Sequence, residues 1–146
     1  ELDAARCDEA RRRHPAADIR CGDAAALPWP DGSFDVVFQS TVFTSILDDD
    51  VRKAVAGEML RVLKPAGIVL WYDFRFNNPH NPHVRGIGKS EIKGLFPQRR
   101  YTFRRVTLAP PLARRIVPWS WNLAARLEML GIFNTHLAAV IRPSAG

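Results

Sequence analysis

The fold of this chain turns on residues 22–38, GDAAALPWPDGSFDVVF. Asp23 is followed by three alanines, a loop punctuated by Pro28, Pro30 and Gly32, and then an apolar run. Phe34 to Gln39 (FDVVFQ), bounded by turn residues, predicts a strand buried on both faces. Upstream, Asp18 to Gly22 (DIRCG) is a short strand candidate. Asp3 to His14, rich in Ala, Arg and Glu, predicts a helix stopped by Pro15.

Downstream, Asp48-Asp49-Asp50 supplies an N-cap and negative charge to a helix reaching about Leu63. Val51, Val55, Met59 and Leu63 fall on one stripe of it. Lys64-Pro65-Ala66-Gly67 predicts its end and a turn, and Gly67 to Phe74 (GIVLWYDF) a continuously apolar strand. A polar loop over 76–88 leads to a short helix, Ser90 to Phe96, capped by Ser90. Arg100 to Leu108 alternates as a strand with one wetter side. Pro111 to Leu130 reads as helix broken at Pro118, and Asn134 to Arg142 as a last strand.

Helices alternating with buried strands predict an α/β sheet in one domain, 1–146, mostly parallel with an antiparallel last strand. The last two strands, separated by a helical insertion at about 110–131, are expected to pair antiparallel at one edge.

The 146 residues, 47% hydrophobic and 25% charged, suit one globular core. Apolar runs fall short of the ~18 residues of a membrane span, and no signal segment opens the chain. A net charge of +6 rests on scattered arginines, with no basic tail or aromatic-interleaved platform, which argues for a solvated basic face rather than nucleic acid. Cys7 and Cys21 match no metal spacing and are expected to be reduced thiols of a cytoplasmic protein.

Three pieces in order, GDAAALPWPDGSFDVVFQS, EMLRVLKPAG and IVLWYDF, resemble the class I S-adenosylmethionine-dependent methyltransferases, in particular their small-molecule branch. That resemblance implies a Rossmann-like sheet with S-adenosylmethionine at the carboxyl ends of its strands. It assigns Asp23 to the adenine amino group, the backbone N–H of Ala24 to a ring nitrogen, and Leu27 and Trp29 to the purine face. It places Glu1 on the ribose hydroxyls, which a carboxylate can accept together. Gln39 and Ser40 fall beside the methionine part. By residue type alone, Asp23 equally caps a turn, and Phe43 is equally a core aromatic or a wall of the site.

The chain departs from the family in one large respect. The glycine-rich loop after the family's first strand has no counterpart, since Gly22, Gly32, Gly57 and Gly67 lack G-x-G spacing. The expectation is an incomplete enzyme that begins past that strand and loop. It would bind S-adenosylmethionine weakly or not at all and expose strand edges. The alternative is a non-catalytic methyltransferase-like fragment or binding module. Ala66 in LKPAG, where the family carries glycine, matters less.

Methyl transfer demands alignment of a nucleophile in a dry pocket, with a base only where the acceptor holds its proton tightly. Asp73, His80 and His83, on or beside the loop after the strongest strand, are the candidates for that base. His136, inside the last strand, reads as packing. Gln39-Ser40-Thr41-Val42 stands where amino-methylating DNA enzymes of this fold carry Asn/Asp-Pro-Pro-aromatic, which argues for a small-molecule acceptor. The segment 112–130, with Arg114, Arg115, Trp119 and Trp121 among apolar residues, suggests a lid over an apolar or lipid-linked acceptor or peripheral membrane contact. The plainer reading, an inserted helix packed on the sheet edge, is the favoured one.

Overall fold

The computed structural model describes residues 2–78 and 81–144. Helix α1 (Ala4–Arg13) is capped by Asp3, whose carboxylate accepts from the N–H groups of Ala5 and Arg6. Strand β1 (Phe34–Ser40) is followed by a 3-10 turn (Phe43–Ser45) and by α2 (Asp49–Val62), capped by Asp48. Then come β2 (Leu63–Phe74), α3 (Lys89–Leu95), β3 (Arg99–Leu108), α4 (Pro110–Ile116), α5 (Trp121–Leu130) and β4 (Asn134–Pro143). The helical insertion breaks between Ile116 and Trp121, around Pro118.

Among the described residues four strands form one sheet in the order β1-β2-β4-β3. β1 and β2 are parallel, and β4 runs antiparallel to both β2 and β3. The last strand is therefore the reversed one, inserted between β2 and β3. This is the α/β class expected, with an antiparallel pair at one edge.

The core lies on one face of the sheet. Val69 and Trp71 of β2 and Leu137, Ala139 and Ile141 of β4 pack there with Val55 and Met59 of α2, Ile92 of α3, and Phe43 and Phe96. Trp71 is the hub, with ring centroids 4.6 Å from Phe43 and 6.0 Å from Phe96. The helix stripe is real at Val55 and Met59, whereas Val51 is exposed and Arg52 takes a buried place beside them. The Arg52 guanidinium donates to the carbonyls of Ile46 and Arg85 and pairs with Glu91, so its charge is compensated.

Several local expectations are corrected. Residues 18–22 form no strand, because among the described residues no neighbouring strand lies beside them to complete a ladder. β1 is not buried on both faces: it is an edge strand, and Phe38 is 63% exposed. The turn at Lys64–Gly67 falls within β2 as a bulge, with Phe34 opposite Leu63 and Val36 already opposite Ile68. Gly67 is required there, since a Cβ would stand 2.9 Å from the Asp35 carbonyl oxygen. α3 begins one residue before Ser90, with Gly88 as its cap and no side-chain bond. Cys7 and Cys21 are not thiols but a disulfide, formed because the chain after α1 doubles back along it, with Arg11 donating to the Ile19 carbonyl.

Candidate functional site

At the carboxyl end of β1 two loops meet over an apolar cavity of about 280 Å³. Ala24, Leu27 and Trp29 contribute from one loop, Val42 and Phe43 from the other, and Gln39 from the strand between them. Each loop is held by a different carboxylate.

The loop 23–31 is held from α2. Leu27 donates its N–H to Glu58 at 2.7 Å, and Arg61 donates to the carbonyls of Leu27 and Trp29 at 3.0 and 2.9 Å. Arg61 also bonds Glu58 and Asp31. The Arg61 guanidinium and the Leu27 N–H hold the Glu58 carboxyl down at about 2. Trp29 is fixed by donation to Asp18, by the Arg20 guanidinium over its ring at 4.8 Å, and by an edge contact with Phe34. Sequence reading missed Glu58 and Arg61, which at three-residue spacing look like an ordinary surface pair.

The loop 41–45 is held from β2. The Asp73 carboxylate is fully buried and accepts from Phe43 N–H at 3.1 Å, Thr44 N–H at 3.3 Å, Thr44 Oγ1 at 2.6 Å and Phe74 N–H at 2.9 Å. Burial pushes its carboxyl up and outweighs these donors, which pull the other way. Gln39, also buried, accepts from Val42 N–H through Oε1 and donates through Nε2 to the Tyr72 carbonyl. Thr41 adopts a left-handed φ of 54°, an uncommon conformation for a side chain branched at Cβ. Arg85 donates its N–H to the Thr44 carbonyl from the far side.

Asp23 and Ala24 stand beside the cavity with acceptor and donor capacity to spare. One Asp23 oxygen accepts from the Ala25 N–H at 2.9 Å in a local turn. Among the described residues its other oxygen and the Ala24 N–H have no partner. Ser40 is exposed at the end of β1, and Phe43 is both cavity wall and core aromatic. His83 is exposed, whereas the Asp73 carboxylate is buried and faces the 41–45 loop. Glu1 and His80 lie outside the described residues. His136 is buried in packing, stacked on Tyr72 with 4.6 Å between centroids, and burial pulls its imidazole down.

The comparisons with known proteins meet this geometry. Residues 1–71 match the family model described as a methyltransferase domain. A probable S-adenosylmethionine-dependent methyltransferase of Mycolicibacterium smegmatis is 33% identical over 103 residues, which cover 65% of this chain and 39% of that protein. A demethylmenaquinone methyltransferase of Renibacterium salmoninarum is 44% identical over 64 residues, 44% of this chain and 26% of that one. The crystal structure of a SAM-dependent methyltransferase from Methanosarcina mazei superposes with a TM-score of 0.69 at 14% identity, covering 100% of this chain and 81% of that chain. The fold is thus that of the class I methyltransferases. In sequence, its first 71 residues are similar to the methyltransferase domain, and the chain is similar to S-adenosylmethionine-dependent methyltransferases. It spans about two fifths or less of the length of these curated relatives.

The family's cofactor can be tested against the residues present. An unpaired carboxylate oxygen next to an unpaired backbone N–H, beside an apolar wall, is the donor–acceptor set that the edge of an adenine ring requires. Residues 22–38 fit that end of S-adenosylmethionine.

Proposed function

We propose that this chain carries the adenine side of the S-adenosylmethionine site of a methyltransferase acting on a small-molecule acceptor, apolar or lipid-linked. The observation that carries the reading is the unpaired oxygen of Asp23 beside the unpaired N–H of Ala24, next to the cavity that Leu27 lines. Asp23, Ala24 and Leu27 would hold the adenine; Glu1, Gln39 and Ser40 are assigned by the family resemblance to the ribose and methionine parts. When bound, S-adenosylmethionine supplies an activated methyl group on sulfonium sulfur.

The chain's own contribution is positional. Glu58 and Arg61 hold the 23–31 loop from the surface, while Asp73 and Gln39 fix the 41–45 loop from within, so the inner cavity wall is set before a ligand arrives. Asp73 acts here as a positioning residue rather than a base, because its oxygens already accept hydrogen bonds from the loop. His83, exposed on its loop, is the proton acceptor still open to an incoming acceptor molecule.

The apolar character of the acceptor is supported by the segment from Val117 to Phe133. Trp119 is 91% exposed and Met129 86%, with Trp121, Leu130 and Ile132 also in water. Residues 92–146 hold nine Lys and Arg against one Glu, a net +8, so an anionic lipid surface would meet both apolar side chains and cations there.

Equilibrium binding of S-adenosylmethionine tests the reading, on residues 1–146 and on any longer gene product that contains them. Asp23→Ala is expected to weaken binding at least about tenfold, the size of one charge-assisted hydrogen bond. Equal affinity in that variant overturns the role of Asp23. Absence of binding in every form overturns the methyltransferase reading in favour of a non-catalytic module.

A further inference from the structure

Beyond the cavity under the two loops, a second and smaller one of about 220 Å³ opens past the end of β2. Its lining is Arg75, Phe76, Gly88, Lys89, Arg105 and Leu137, three cations with no carboxylate among them. They come from three separate places: the residue after β2, the first residue of α3, and the middle of β3. Among the described residues none of the three forms an ion pair.

Two of the three are nevertheless held. The Arg75 guanidinium lies over the Phe76 ring at 4.3 Å, and Lys89 Nζ lies 5.3 Å from the Phe103 ring centre. Register places Arg105 beside Leu137, which is itself opposite Asp73, so the cavity adjoins the carboxyl end of the strand that carries the loop anchor. Arg75 Nη1 is buried without a hydrogen-bond partner. A buried guanidinium N–H left unpaired is costly, and the cost is removed by an acceptor entering the cavity. Burial and the neighbouring Arg105 both press the Arg75 guanidinium toward losing its proton. Gathering like charges in this way is unfavourable in the free protein and is relieved by an anion.

From this arrangement we infer that Arg75, Lys89 and Arg105 form an oxyanion site, which binds a phosphate or carboxylate group of the methyl acceptor. A planar guanidinium matches either group with two parallel N–H donors. The cavity is too small for a whole drug-sized ligand, whose pockets run from about 300 Å³ upward, and suits a head group. The rest of the molecule has a place to lie. A groove of about 840 Å³ between β3 and α5 shares Lys89 and Arg105 with the cavity and is walled by Phe103, Val106, Met129 and Leu130. An acceptor with an anionic end and an apolar body would fill both. The oxyanion site stands on its own geometry; its link to the acceptor rests on the methyltransferase reading.

The test is titration with inorganic phosphate, and separately with acetate, at ionic strength held constant with chloride, read by calorimetry. Saturable binding of either is expected, and which of the two binds distinguishes a phosphate from a carboxylate head. Lys89→Gln and Arg105→Gln should each weaken it at least about fivefold, whereas Arg114→Gln, an exposed cation outside the cavity, should leave it unchanged. Lys89 is exposed on the first turn of α3, so its variant keeps the test open should Arg105→Gln fold poorly. Non-saturating heats with both anions, or equal losses in all three variants, overturn the inference. S-adenosylmethionine binding, measured on the same samples, separates the two readings. If it persists while neither anion binds, the oxyanion site alone is refuted.

Discussion

The two loops that wall the larger cavity look alike in outline and are held in opposite ways. The 23–31 loop is gripped by Glu58 and Arg61 at the protein surface, where water competes for every bond. The 41–45 loop is gripped by Asp73 from inside the core, where no water replaces a lost bond. One wall is therefore adjustable and the other fixed. A site built this way keeps its inner wall in register with the sheet while the outer wall yields to a ligand.

Removing the inner anchor should have the largest effect. Asp73→Ala strands the buried N–H groups of Phe43 and Thr44 and is expected to cost about 3 kcal/mol in chemical denaturation. A loss below about 1 kcal/mol would mean that the loop is held by Gln39 and Arg85 instead. Next comes Gly86→Ala, which acts on the same loop from its far side. A Cβ there would stand 2.4–2.6 Å from the Phe76 backbone, displacing the neighbouring Arg85 N–H from the Thr44 carbonyl. The expected destabilisation is about 1–3 kcal/mol, with hydrogen exchange rising at 41–45 and not at 23–31.

Acid sharpens the comparison, because the two anchors titrate in opposite senses. Glu58 lies below its ordinary value of 4.5, at about 2, so its contribution is present above pH 4.5 and fades as pH falls toward 2. Asp73 lies above its ordinary 3.8, so its contribution is complete below that value and declines as pH rises through the folded one. Denaturation from pH 3 to 7 should show the wild-type advantage over Glu58→Gln shrinking toward acid. The advantage over Asp73→Asn should shrink toward neutrality. Parallel trends would mean that the anchors are not independent.

The smallest effect is expected where neither anchor acts. Phe38 is exposed on the edge strand, and Phe38→Ser should change stability by less than about 0.5 kcal/mol. A larger loss would place a partner on that strand.

Much of this architecture was legible along the chain because it is written in local patterns. Asp48 announces its helix, GIVLWYDF its strand and Pro118 the break between α4 and α5. Asp23 and Ala24 are singled out by family resemblance, whereas the turn cap that residue type alone left equally open is present, Asp23 accepting from the Ala25 N–H. What escaped is long-range. Glu58 and Arg61 gain their meaning from Leu27, some thirty residues away, and Arg52 from Glu91. The disulfide depends on the chain doubling back after α1, and residues 18–22 failed as a strand for want of a neighbour rather than of propensity. Asp73 was noticed for the right reason, a carboxylate at a strand's end, but its direction could not be read: it faces the loop.

The placement of the tryptophans has an optical consequence. Trp71 is sealed in the core, Trp29 lines the larger cavity under a guanidinium, and Trp119 and Trp121 stand in water. The native emission spectrum therefore superposes a blue component, a red one and a cavity-specific one. With both exposed indoles replaced by phenylalanine, Trp29 becomes a built-in reporter. Its emission would follow a ligand entering between the two loops, while Trp71 stays silent until the protein unfolds.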